Sequence, residues 1–471
     1  NRLINNAYMN VLRSSAIYSS FTSISRIFGF LRDILIANFL GTGVIADIFF
    51  VAFRLPNTFR RIFSEGALNS AFVPIYSKLI KDNFKQESKK FAGSILLIFF
   101  ITSSIFVLVI EIFMPFFITI LAPGFIDDND KFTELVKASR IIFPFLILIS
   151  VASIFSSILN SHSKFALSAA LPVILNITLI IAIVIAAYIT ADFLLFLSWG
   201  VIIAGIIQII FLIVALIREK IYFIFSLKIY SNYIKRFTKL FTASFFSSGL
   251  LQINILIGTI IASYESGAIS YLYYADRIYQ LPLALIGIAI GTAILPSISS
   301  KIKSDRLEII HKSIEQTLLY ALLLAVPASV GVYALSEQII AVLFERGEFD
   351  NKSALYTSNA LKFYSLGLVA FIFMKIYTPI FFAHENARPT LYIAIINLVV
   401  NTILSIVLFY SLGFIGIPIA TSISAWLSIL FMNYYLKKHN YYQMSKKMIL
   451  PTTIIIIASF IMYLYLSFLK N

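Results

Sequence analysis

Six arginines stand inside or at the ends of long apolar stretches, and their spacing gives them a chemistry. Arg26 and Arg32 lie in SRIFGFLRD, Arg54, Arg60 and Arg61 in ADIFFVAFRLPNTFRRIFSEGA, and Arg277 in YYADRIYQLP. An arginine at the centre of a bilayer helix costs roughly 2.5–3.5 kcal/mol, so these groups must face protein or water rather than lipid. Asp47, Arg54 and Arg61 recur at intervals of seven, close to two helical turns. That spacing sets them, with Asn57 and Glu65, on one polar stripe of a helix that Pro56 should kink. Arg26 and Asp33 are also seven apart and share a face, with Arg32 about a third of a turn away unless Gly29 bends the helix. Asp276 and Gln280 are four apart, with Arg277 beside them. Only Asp33, Asp47, Glu65 and Asp276 oppose the six arginines. The surplus predicts a water-filled cationic cavity, and the planar fork of guanidinium suits bidentate binding of phosphate or carboxylate. The expected ligand is an anion, with a phosphate or diphosphate foremost.

Each group also has a plainer reading. Arg60, Arg61 and Glu65 approach the end of their segment and read equally as interfacial or gate pairs, and Arg26 with Asp33 reads also as a structural ion pair. Lys137, Arg140 and Lys362 sit where long side chains snorkel to the interface. Lys375 lies deeper. Asn397 and Asn401, four apart, join Thr421 and Gln252 as a candidate cation site, but without a carboxylate the same groups serve helix–helix hydrogen bonding better. The chain has no cysteine and four histidines, all in polar gaps, which excludes disulfides, thiol chemistry and a His-rich metal cage. No Walker-type loop and no His–Asp pair within a segment occur, so neither ATP hydrolysis nor another enzymatic activity is expected.

The elements that must position these residues are membrane helices. In 471 residues, 60% are hydrophobic and 13% charged, and the mean hydropathy is +0.92, which excludes an ordinary soluble globule. Runs of about 20 apolar residues suffice to cross a hydrocarbon core. Thirteen candidates lie near 14–40, 44–77, 91–121, 134–160, 166–189, 193–217, 237–263, 268–299, 313–335, 354–383, 389–410, 413–436 and 449–469. The gaps on the N-terminal side hold 23 Lys and Arg against four on the other side, Lys131, Arg346, Lys352 and Lys470. Because positive loops stay cytoplasmic, the N-terminus is expected inside. The same bias explains most of the net charge of +15, so nucleic acid is not an expected partner. No cleavable signal peptide is read at the start.

Sliding the chain on itself by 221–222 residues brings AFVPIYSK (71–78) onto AILPSISSK (293–301) and Asn176 onto Asn397. The shift spans an even number of segments, so the halves share an orientation. The expected fold is an all-α integral membrane protein of about 13 transmembrane helices. Two pseudo-symmetric six-helix lobes, 1–217 and 218–438, surround a central cavity, and 439–471 adds a further transmembrane helix.

These same motifs, SRIFGFLRD, GTGVIADIFFVAFRLPNTFRRIFSEGALNSAFVPIYSK and YYADRIYQLPLALIGIAIGTAILPS, resemble the MurJ/MviN family of bacterial lipid II flippases, within the superfamily of multidrug and oligosaccharidyl-lipid exporters. ILNSHSKFALSAALPVILN and KFYSLGLVAFIFMK extend the resemblance over most of the chain. It implies movement of lipid II from the cytoplasmic to the outer leaflet of the bacterial inner membrane by alternating access, for peptidoglycan synthesis. Its implied partners are lipid II, bilayer lipids and cell-wall synthesis enzymes. No cofactor is implied beyond a coupling ion, Na+ or H+, or the membrane potential. The family's cavity residues fall on Arg26, Arg32, Arg54, Asn57, Arg61 and Arg277, with Arg32, Arg54 and Arg277 on the diphosphate. Asp33, Asp47, Glu65 and Asp276 are the gating acids that compete for the arginines. Some members hold sodium with acidic ligands where this sequence offers only Gln252, Asn397, Asn401 and Thr421. The family has fourteen helices as a rule, and thirteen are read here. Other readings are a flippase for another polyprenyl-linked saccharide, a cation-coupled drug exporter, or a non-transporting scaffold for cell-wall enzymes. The exporter would carry carboxylates where arginines stand, and the scaffold would not need intramembrane arginines.

Overall fold

A backbone in hydrocarbon finds no water to satisfy its N–H and C=O groups, so long apolar runs close those bonds internally as helices. The computed structural model describes residues 2–226, 232–288, 307–386 and 388–470. Within these it leaves out the side chains of 2–19, 64–66, 246–248, 250, 251, 288, 307–309 and 470. Every regular element among the described residues is a helix. The chain forms two compact units, Asn1–Gln252 and Ile253–Asn471.

The first unit runs α1 (Arg2–Leu40), α2 (Val44–Arg60), a π-helix (Arg61–Ala67), α3 (Leu68–Lys81), α4 (Lys85–Ile112), α5 (Met114–Leu121), α6 (Asn129–Ile142), α7 (Phe145–Ser161), α8 (Phe165–Ala169), α9 (Leu171–Tyr188), α10 (Phe193–Arg218) and α11 (Asn232–Ala262), whose last turns belong to the second. The second unit continues with α12 (Ala268–Pro282), a π-helix (Leu283–Ile288), α13 (Leu307–Ala334), α14 (Ser336–Phe344), α15 (Asn351–Ser365), α16 (Leu368–Ala383), α17 (Arg388–Leu412), α18 (Gly416–Lys438) and α19 (Ile449–Lys470). The spacing read from the sequence recurs in these boundaries. The π-helices start at Arg61 and Leu283, α5 and α14 at Met114 and Ser336, and α6 and α15 at Asn129 and Asn351, each pair 222 residues apart. The matching stretch 293–301 lies outside the described residues.

Among the described residues, seven helical stretches are long and apolar enough to cross a membrane, or eight when the bent pair Asn351–Ser365 and Leu368–Ala383 counts as one span. This is fewer than the thirteen expected. The stretch Arg388–Lys438 holds both α17 and α18. The helix α2 is 17 residues long and carries Asp47, Arg54 and Arg60, and the expected spans 14–40, 237–263 and 268–299 each include residues or side chains outside the described ones. Many large apolar side chains are exposed, as a lipid-facing surface requires. On α19, Phe460, Ile461 and Leu464 are each more than half exposed.

Turns are fixed by backbone conformation and caps. Gly413, at φ +63° between α17 and α18, brings its backbone against Glu265, whose Oε2 accepts the Phe414 N–H at 2.7 Å. An added Cβ would stand 2.8 Å from that oxygen. Gly413→Ala therefore combines a left-handed strain with loss of a carboxylate cap, and it is expected to cost about 1–3 kcal/mol. A thermal melt of purified protein checks this, and an unchanged midpoint would count against the turn. At the start of α15, Asp350 accepts the Ser353 N–H at 2.8 Å and its hydroxyl at 2.6 Å, and these bonds hold its carboxyl below the ordinary aspartate range.

Candidate functional site

The first unit gathers its charge around α1, α2 and α9. Arg32 and Asp33 are neighbours in α1, with 5% and 1% of their surface exposed. Nε of Arg32 donates to Oδ1 of Asp33 at 3.0 Å, and Nη2 does so at 2.6 Å. The remaining arm of the fork, Nη1, donates to Oδ1 of Asn176 in α9 at 2.9 Å, and Nδ2 of Asn176 donates to the Ser25 carbonyl at 3.0 Å. Gly29 makes this approach possible, since a Cβ there would stand 3.2 Å from Nδ2 of Asn176. A buried cation is thus held by a carboxylate and an amide in a geometry that only a guanidinium fills. Asp33 takes Arg32, its sequence neighbour, and Arg26, two turns away, is exposed.

On α2 the polar stripe is present but unevenly buried. Asp47 is fully buried and lies 3.7 Å from Nζ of Lys131 in α6. Arg54, Asn57 and Arg61 are half-buried. Nε of Arg60 donates to Oδ1 of Asn57 at 3.0 Å, so Asn57 belongs to a polar pair within the helix. Pro56 interrupts the α-helical bonding, and the chain then passes into the π-helix at Arg61. Phe63 anchors that π segment, its ring 5.9 Å from Phe99 of α4 and 6.2 and 6.1 Å from Phe241 and Phe245 of α11. The side chain of Glu65 lies outside the described residues.

In the second unit, Arg277 of α12 donates through Nη2 to the Tyr273 hydroxyl at 2.7 Å, with its guanidinium carbon 4.9 Å from the centre of that ring. Gln280 donates to Asp276, so the acid and the amide pair one turn apart. Arg277 and Asp276 are both half-buried. Asn401 of α17 donates to Thr421 of α18 at 3.4 Å and accepts from Ser405 at 2.9 Å. Asn397 donates to the Ser424 carbonyl at 3.0 Å and to the Ser428 hydroxyl at 2.8 Å. These amides bind α17 to α18. Gln252 of α11 is half-buried and is the last residue of the first unit. Among the described residues no group of three or more His, Asp or Glu is placed to hold a metal ion.

Sequence reasoning left three participants without a role. Asn176 stands in the sequence as a repeat match to Asn397 and as the end of ILNSHSKFALSAALPVILN, with no partner indicated. Lys131 counted as a loop charge, yet it is 7% exposed. Tyr273 opens YYADRIYQLP, where only Asp276, Arg277 and Gln280 have a chemistry legible from spacing. Lys362 meets Glu337 at 2.7 Å.

The chain is similar to known proteins over most of its length. Residues 36–471 match the family described as lipid II flippase MurJ. The chain is 38% identical over 428 residues to a probable lipid II flippase MurJ of Rhizobium meliloti (strain 1021), covering 90% of this chain and 80% of that protein. It is 36% identical to the probable lipid II flippase MurJ of Rickettsia prowazekii (strain Madrid E), covering 98% and 92%. A solved structure of lipid II flippase MurJ in an inward closed conformation superposes with a TM-score of 0.84 at 29% identity, over 96% of this chain and 92% of that one. An all-helical multi-pass chain with a forked, buried arginine, matched over nearly its whole length, belongs to the MurJ family of lipid II flippases.

Proposed function

We propose that the protein flips lipid II from the cytoplasmic to the outer leaflet of the bacterial inner membrane, acting as a transporter rather than an enzyme. The observation that carries this reading is Arg32, a buried cation in an apolar helical unit whose Nε and Nη2 converge on one carboxylate oxygen while Nη1 meets an amide oxygen. A diphosphate offers the same oxygens as Asp33 and competes for the same donors. Arg32, Arg54 and Arg277 bind the diphosphate, with Arg26, Asn57 and Arg61 lining its path. Asp33, Asp47, Glu65 and Asp276 take the arginines back when the substrate leaves. Exchange between carboxylate and phosphate is what lets binding differ between two states, as alternating access requires.

The finer architecture belongs to the same proposal. The chain crosses the membrane thirteen times, and the excess of Lys and Arg in the gaps on the N-terminal side supports a cytoplasmic N-terminus. Residues 1–217 and 218–438 are pseudo-symmetric six-helix lobes, and 439–471 is an added transmembrane helix. The 222-residue recurrence of helix starts supports the repeat. Gln252, Asn397, Asn401 and Thr421 are the candidate site for a coupling cation, Na+ or H+, with the membrane potential as the alternative drive. Bilayer lipids and cell-wall synthesis enzymes are the partners, and nucleic acid is not one.

The test is leaflet accessibility of lipid II in bacterial cells depleted of their own flippase and expressing this chain. Outer-leaflet lipid II should be restored. A well-inserted chain that leaves lipid II inside would overturn the reading and turn attention to another polyprenyl-linked saccharide.

A further inference from the structure

The pairing of Lys131 with Asp47 is not the one that local chemistry would choose. Lys131 begins α6 within the acidic run IDDNDKFTE, and Asp127, Asp128 and Asp130 beside it are exposed and hydrated. An ammonium there would remain in water among these acids at little cost. The side chain is instead withdrawn to 7% exposure, with Nζ 3.7 Å from Oδ2 of the fully buried Asp47 and 3.7 Å from the centre of the Phe125 ring, itself fully buried. Its backbone is fixed as well, because the Lys131 N–H donates to Oδ1 of Asp128 at 3.0 Å. Lys131 and Asp47 both lie in the first turn of their helices, so the contact ties the start of α2 to the start of α6, at the end of the unit away from the turn joining α3 to α4.

We propose that Lys131 is a positioning residue for transport: with Asp47 it forms a clasp that keeps this end of the first unit shut to water, and it does not touch the substrate. The inference rests on the flippase reading for its consequence in transport but not for the clasp itself. A single ammonium at this distance is a looser hold than the forked bond between Arg32 and Asp33, which suits a contact that opens and recloses. Removing the ammonium leaves the Asp47 carboxylate buried without this counter-charge, so water is drawn to the helix starts.

The chain contains no cysteine, so one introduced thiol reports on one place. Leu135 lies one turn beyond Lys131 in α6 and is fully buried, and Leu179 in α9 is fully buried away from it. In lipid nanodiscs, Leu135→Cys should react with a charged maleimide at least tenfold faster when Lys131→Met is added, and Lys131→Arg should restore slow labelling. Leu179→Cys should stay slow throughout. In cells, Lys131→Met should lower lipid II translocation while purified protein binds lipid II as the parent does, and Lys131→Arg should recover translocation. Unchanged labelling at Leu135→Cys would overturn the clasp, as would equal acceleration at Leu179→Cys, which marks general loosening. Loss of lipid II binding in step with translocation would overturn it too, by placing Lys131 in the binding site. Should Lys131→Met fail to fold, the exchange Asp47→Lys with Lys131→Asp should fold and label slowly, and a folded exchange that labels fast defeats the idea. A parent chain that shows the labelling response yet never moves lipid II would sink the flippase reading and leave the clasp standing.

Discussion

Arg32→Ala should lower lipid II translocation by about a hundredfold or more and should also lower the melting temperature, and the two losses can be separated. The substitution leaves the Asp33 carboxylate buried at 1% exposure without the guanidinium that now donates to it twice. Breaking one partner out of a buried ion pair costs about 3–5 kcal/mol. It also removes the Nη1 donor from Asn176 Oδ1, worth roughly 1–3 kcal/mol more if that oxygen finds no replacement. Arg32→Lys should fare little better, since one ammonium cannot serve Asp33 twice and Asn176 once. The separating variant is Arg32→Ala combined with Asp33→Asn, which deletes the stranded charge. Its melting temperature should recover most of the loss while translocation stays down, because under the proposed role of Arg32 the diphosphate still lacks its fork. Recovery of translocation in the double variant would reduce Arg32 to a structural counter-ion.

How much of this site the sequence could declare depends on how far apart the partners lie along the chain. The run of seven between Asp47, Arg54 and Arg61 names a helical stripe, because periodicity is a local property. The same rule put Arg26 and Asp33 on one face, but it could not decide which arginine reaches the acid. Arg32 wins because its long side chain folds back on its neighbour, with Nε and Nη2 meeting one carboxylate oxygen. The partner that fixes the third arm, Asn176, is 144 residues away in sequence. No spacing rule joins two helices. Lys131 failed for a related reason: an acidic, polar stretch reads as a solvated loop, and only the packing of α6 against α2 turns one of its charges inward. The π-helix at Arg61 is a third case, since an extra residue in a turn rotates everything after it and cannot be read from periodicity assuming 3.6 residues per turn. Helix count followed the same logic in reverse. Apolar runs in the sequence number thirteen, whereas α2, 17 residues long and carrying Asp47, Arg54 and Arg60, is too short and too charged to stand as a plain crossing helix.

The connection between α10 and α11 supplies the second large effect. Residues 221–226 lie across α4 at Gly93, where the Ile224 N–H donates to the Lys89 carbonyl at 3.0 Å and the Ser94 hydroxyl donates to the Ser226 carbonyl at 2.7 Å. A Cβ on Gly93 would meet the Ile224 carbonyl carbon at 2.5 Å and Phe225 N at 2.9 Å, with the carbonyl oxygen closer still. These are backbone atoms, so no rotamer change relieves the clash, and the strap must lift from the helix. Lifting it breaks both hydrogen bonds, each worth about 1 kcal/mol, and overpacking adds roughly 1–3 kcal/mol. Gly93→Ala is therefore expected to lower stability by about 2–4 kcal/mol net, after the gain of up to about 1 kcal/mol that alanine normally brings to a helix interior. Gly331→Ala in α13 is the matched control, because a Cβ there meets no atom within 4 Å and only the helical gain remains. Thermal melts of the two variants should therefore move in opposite directions, and limited proteolysis should cut the 219–226 connection faster in Gly93→Ala alone. If both variants melt with the parent and the connection stays protected, the strap does not bear on α4, and the glycine serves some end other than close approach.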